Sequence, residues 1–159
     1  MYNVAFVSEA LVRKEKIQAA LRKMSADALL LADNANLYYT SGRVFCGYTY
    51  VPAEGDMIYF VRRPVGLTGD NCVYIHKPEQ IPGEMQKRGL SMPATLMLEG
   101  DSLSFNEYNR LASVFSTSRI LGGGTALIRR VRAVKTPYEM ELIRQSAASH
   151  DMLYRHIPK

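Results

Sequence analysis

The run Asp27-Ala28-Leu29-Leu30-Leu31-Ala32 constrains this chain more than any other stretch. It is continuously apolar from Ala28, only strand-sized, and bracketed by Asp27 and Asp33. A half-exposed strand or an amphipathic helix would interrupt such a run with polar residues, whereas a central strand covered on both faces does not. Covering both faces needs material above and below the sheet, and the neighbouring segments supply it. Residues 9–24 read as an amphipathic helix. Ile17, Ala20, Leu21 and Met24 fall at i, i+3, i+4 and i+7, which leaves Arg13, Lys14, Lys16, Arg22 and Lys23 for water.

The remaining elements follow in order. Asp33 or Asn34 can cap a short helix through Leu37-Tyr38-Tyr39, and Gly42 can end it in the left-handed conformation. Residues 45–63 are β-rich, with strands at 48–51 and 57–61 around a turn at 52–56. Residues 72–75 and 95–98 are short strands, and 82–89 is a helix. Ser104-x-x-Glu107 is a capping box opening a helix that includes Tyr108, Leu111, Ala112 and Phe115. After a strand at Arg119-Ile120-Leu121, the triplet Gly122-Gly123-Gly124 reads as a flexible connection to a helix over 125–134. Thr136-Pro137-Tyr138-Glu139 starts a second helix, to about residue 155, with Met140, Ile143, Ala147 and Tyr154 on one side. The order predicts an α/β fold, a three-layer sandwich with a mixed sheet of about six strands and helices on both faces.

Composition narrows the function classes. The chain has 159 residues, 47% hydrophobic and 22% charged, which suits a globular protein and excludes a disordered or collagen-like one. No apolar run approaches the roughly 20 residues of a membrane span, so no membrane association is expected. Val4-Ala5-Phe6-Val7 is too short for the core of a signal peptide, and two cysteines cannot build a disulfide framework. A cytoplasmic location is expected. The net charge is +5, and no acidic residue lies between Glu107 and Glu139. Charge alone is weak evidence of a nucleic-acid partner, and without an RNA-binding or zinc-finger motif none is expected.

The residues alone show no catalytic constellation. His150 and His156 are six apart, His76 is remote from both, and no H-E-x-x-H occurs, so no metal ligand is assigned. The glycine triplet lacks the spacing of a phosphate loop, and Ser8, Ser41 and Ser102 lack the setting of a nucleophile elbow. Capping and turn roles account for Asp27, Asp33, Glu99 and Asp101, and Cys46 reads as a buried small residue. One segment stands apart: Arg43-Val44-Phe45-Cys46-Gly47-Tyr48-Thr49-Tyr50. A guanidinium can grip a carboxylate through two parallel bonds, and aromatic walls suit an apolar or cyclic side chain. Arg43, Phe45, Tyr48 and Tyr50 are therefore the candidate substrate-binding residues.

Four stretches carry a resemblance. Residues 22–33, Asn36-Leu37-Tyr38-Tyr39-Thr40-Ser41-Gly42, residues 98–108 beginning Leu98-Glu99-Gly100-Asp101, and the passage from Ile128 through Arg132, Lys135, Thr136 and Glu139 to Arg144 resemble, in this order, segments of the N-terminal domain of the creatinase, prolidase and aminopeptidase P family. The resemblance implies residues 1–125 as a creatinase/prolidase N-terminal-like domain. Residues 126–159 would be a linker helix and the first helix of a C-terminal catalytic domain. It further implies a non-catalytic domain of a metal-dependent Xaa-Pro peptidase, supporting homodimerisation and substrate access. Two divalent metal ions are expected in the catalytic domain and no cofactor in this chain. Arg43, Phe45, Tyr48 and Tyr50 would then serve a partner subunit's active site on proline-containing peptides. The alternatives are the N-domain of a creatinase-like amidinohydrolase and a non-enzymatic peptide-binding module.

Overall fold

A computed structural model describes residues 4–64 and 66–157, with side chains from residue 8. Six strands form one sheet: β1 (Ala28–Leu31), β2 (Cys46–Pro52), β3 (Ile58–Arg63), β4 (Cys72–Tyr74), β5 (Thr95–Leu98) and β6 (Arg119–Leu121). Their order is β4-β3-β2-β1-β5-β6. β2 is antiparallel to both β1 and β3, and the other pairings are parallel, so β2 alone runs against the rest. Leu30 sits opposite Tyr50 on one side and Leu98 on the other.

The apolar run is the sheet's central strand, and its two-residue period sorts the core. Ala28 and Leu30 join Tyr48, Tyr50, Phe60, Leu96 and Leu98 on one face. There they meet Ile81 and Met85 of α3 (Ile81–Lys87) and Leu111 of α4 (Phe105–Val114). Leu29 and Leu31 face the other way, against Ile17 and Leu21 of α1 (Val4–Lys23) and Leu127, Ile128 and Val131 of α5 (Gly124–Ala133). This is the expected three-layer α/β sandwich. Each buried leucine contributes about 1.5–3 kcal/mol by leaving water, so the four-residue β1 outweighs its length.

Local signals place the remaining elements. Asp33 caps α2 (Asn34–Ser41) by accepting from the Ala35 amide, and Gly42 ends it at φ 69°. The Thr136 capping box is complete at the start of α6 (Pro137–Arg155). At α4 only half the expected box forms: Ser104 Oγ accepts from the Glu107 amide at 3.2 Å. The Glu107 carboxylate instead accepts from Tyr48 Oη at 3.1 Å.

Three expectations need correction. Arg13 does not face water but is 6% exposed, because residues of α2 and α6 close over it. Cys46 is exposed, because it starts β2 at a bulge at the sheet's end. The glycine triplet is a packed corner: Gly122 accepts from the Gly100 amide, and a Cβ at Gly124 would lie 2.5 Å from the Leu98 carbonyl oxygen. The first helix also extends back to Val4, ahead of the expected start.

Candidate functional site

The carboxyl ends of β1, β3 and β5 and the start of β2 share one edge of the sheet, where open α/β sheets commonly bind ligands. Two cavities open along it. One, of about 870 Å³, is lined by Asp33, Phe45, Tyr48, Arg62, Arg63 and Glu107 among others. The second, of about 370 Å³, is mainly apolar and lies between Arg43, Phe45, Tyr59, Val61, Leu67 and Cys72.

The four candidate residues do not converge on a single pocket. Phe45 is the wall shared by both cavities, packed edge-on against Tyr59 with ring centroids 6.3 Å apart. Arg43 joins it only in the smaller cavity and Tyr48 only in the larger. Tyr50 belongs to the core and borders a groove with Asp27 and Pro52 at the opposite end of the sheet. The cause is strand periodicity. Tyr48 and Tyr50 point to the face that holds α3 and α4, whereas Phe45 precedes the bulge and packs with Leu37 and Val61. Gly47 makes that bulge at φ 156°, and a side chain there would overlap the Phe60 carbonyl oxygen. Burial, with the nearby Glu107 carboxylate, pushes the Tyr48 hydroxyl up to about 12, and burial does the same for Tyr50. Neither phenol is suited to proton transfer near neutrality. The Cys72 thiol is also raised, by burial that outweighs Arg43 and Arg88, so it lacks the character of an activated nucleophile.

Sequence reasoning missed the most connected carboxylate. Glu99 serves a turn through its backbone, its carbonyl accepting from the Ser102 and Leu103 amides, but its side chain is fully buried. Its Oε2 accepts from the amides of Ala32 and Asp33, the latter at 2.9 Å, and its Oε1 accepts from Asn36 Nδ2. Asn36 Oδ1 then accepts from Arg132 Nη1 at 2.8 Å. The signal that could have found it is the carboxylate following the apolar Thr95-Leu96-Met97-Leu98 run, beside a strand that also ends facing a helix start. Asp27 likewise bonds across the fold, accepting from the Thr95 amide at 2.7 Å. All three histidines are exposed.

Among the described residues, no three His, Cys, Asp or Glu side chains stand close enough to hold a metal ion. No described helix is long and apolar enough to cross a membrane.

Known proteins place this geometry in context. The Creatinase/Prolidase N-terminal domain family matches residues 13–134. Among solved structures, an Xaa-Pro dipeptidase from Bacillus anthracis superposes with a TM-score of 0.71 at 16% identity, over 92% of this chain and 42% of that one. The N-terminal domain of the cytoplasmic peptidase PepQ from Mycobacterium tuberculosis H37Rv gives 0.61 at 17% identity, over 76% of this chain and 98% of that one. The prolidase from Pyrococcus horikoshii OT3 gives 0.60 at 20% identity, over 92% and 43%. The chain thus spans less than half of the dipeptidase and prolidase chains that it resembles. No curated protein matches it in sequence.

Proposed function

Because the chain belongs to the Creatinase/Prolidase N-terminal domain family, we propose that it is the non-catalytic N-terminal domain of a metal-dependent Xaa-Pro peptidase of prolidase or aminopeptidase P type. The family match over residues 13–134 carries this reading. The structures named as Xaa-Pro dipeptidase and prolidase, with the same fold over 92% of the chain, support it. Hydrolysis, and the two divalent ions it uses, belong in this reading to a catalytic domain beyond residues 1–125, with residues 126–159 leading into it. The free cysteines suit a cytoplasmic protein, as the PepQ neighbour is named.

The domain's own contribution is dimerisation and substrate access. Arg43 stands at the rim of an apolar cavity walled by Phe45, Tyr59 and Leu67. A fork of N–H donors beside such walls suits a carboxylate joined to a compact ring, which a C-terminal proline presents. In the homodimer the segment 43–48 reaches toward the partner's active site, with Arg43 as the contact and Phe45 holding the segment's shape. Tyr48 and Tyr50 support it from the core. The purified chain, supplied with manganese, cobalt or zinc, is expected to turn over no Xaa-Pro dipeptide. Metal-dependent turnover, with host peptidases excluded, would overturn the assignment of catalysis to another domain.

A further inference from the structure

Helix α6 buries none of its 19 residues, yet its first turn is tied to α1 by an ion pair and a hydrogen bond. No fully buried apolar side chain anchors it. Among the described residues its hydrogen bonds and ion pairs to the rest of the molecule lie at its first turn, while Leu142 and Ile143, each half-exposed, border an open cavity with Tyr38 and Tyr39. Thr136, the N-cap, is 5% exposed, and its hydroxyl donates to Glu9 Oε1 at 2.7 Å. Glu139, which closes the capping box, pairs through Oε1 with Arg13 Nη2 at 3.0 Å. The other two guanidinium nitrogens of Arg13 are also engaged: Nε donates to Glu9 Oε1 at 2.9 Å and Nη1 to the Tyr39 carbonyl at 2.9 Å. Its guanidinium lies 4.5 Å from the centre of the Tyr39 ring, with the Arg132 guanidinium 5.9 Å from the same ring. Three residues on one stripe of α1 thus face the α5–α6 joint, since Lys16 Nζ donates to the Val134 carbonyl at 2.5 Å.

We propose that Arg13 is a latch that fixes the direction of α6 by joining Glu9 on α1, the end of α2 and Glu139 in the first turn of α6. Buried ion pairs add little net stability relative to an apolar packing of the same shape, but they tolerate few geometries and so can select one arrangement. Apolar side chains would let α6 rock, whereas a guanidinium with three placed donors does not. Lysine keeps the charge but offers a point contact, and methionine keeps the stem and loses every bond.

The test reads direction rather than stability. Nitroxide labels are placed at Ser113→Cys on α4 and Ser149→Cys on α6, in a Cys46→Ser, Cys72→Ser background, and their distance distribution is measured. The otherwise unaltered chain is expected to give one narrow distance. Arg13→Met should broaden it by about twofold or more, and Arg13→Lys should fall between, as rocking of a helix freed at one end requires. An Arg13→Met distribution as narrow as the parent's would overturn the proposal. If Arg13→Met does not fold, Glu139→Gln removes the charge paired with Arg13 while leaving Arg13 and the Thr136 cap in place. Broadening there supports the latch, and an unchanged width overturns it.

Discussion

Glu99 shows how one side chain can hold a site's framework without taking part in chemistry. Its carboxylate lies at the start of α2, where the backbone donors of Ala32 and Asp33 and the amide of Asn36 all point at it. A helix start favours negative charge, and hydrogen bonds to a charged group are the stronger kind. Glu99→Gln puts an NH2 group among donors and should cost about 1.5–3 kcal/mol in urea unfolding. A change within about 0.5 kcal/mol, the usual range for surface substitutions, would mean these bonds are incidental. The glycine corner gives a second contrast. Gly124→Ala forces a methyl against the Leu98 carbonyl and should destabilise by about 1–3 kcal/mol, although alanine is the better helix former. Gly122→Ala, whose nearest neighbour would be Tyr108 Oη at 3.8 Å, should change stability by no more than about 0.5 kcal/mol. Equal effects at the two positions would contradict the packing explanation.

The elements were legible where their signals are local. The apolar run of β1, the Asp33 and Thr136 caps and the Gly42 stop each lie within a few residues of what they control. Arg13 was misread because its partners come from far along the chain: charge on a helix looks solvated until Glu139 arrives to meet it. Tyr48 and Tyr50 looked like walls of a binding loop because aromatic residues serve binding and strand packing equally well. Only pairing with β1 and β3 decides between them. That burial has a measurable consequence. Tyr39, Tyr48 and Tyr50 are each raised to about 12, burial being the largest cause in every case. In the unfolded chain a tyrosine titrates near 10. Stability from these groups is therefore whole below about pH 10 and is lost as pH rises toward 12, because the unfolded state releases its protons first. The urea midpoint should fall steeply over that window, and less steeply in Tyr50→Phe. A flat profile there would show that the phenols are not shielded.

At the scale of the whole molecule, the four stretches that carry the family resemblance meet around one carboxylate. Ala32 and Asp33 come from the first, Asn36 from the second, Glu99 from the third and Arg132 from the fourth. Segments 63 and 96 residues apart are thereby fixed to one another. The sequence displayed the stretches but not their meeting, since their spacing along the chain says nothing of which side chains touch. This framework holds α2 in place, and the 43–48 segment follows α2 directly, so its aim depends on the same contacts. The kcat/KM of the complete peptidase carrying Arg43→Ala tests most directly whether this domain serves substrate access. Loss of a buried, charge-assisted contact of about 1.5–3 kcal/mol predicts a fall of roughly 10- to 150-fold on an Xaa-Pro dipeptide, with the dimer intact. A kcat/KM equal to that of the unaltered enzyme, in an intact dimer, would contradict it and leave the segment a purely structural edge of the sheet.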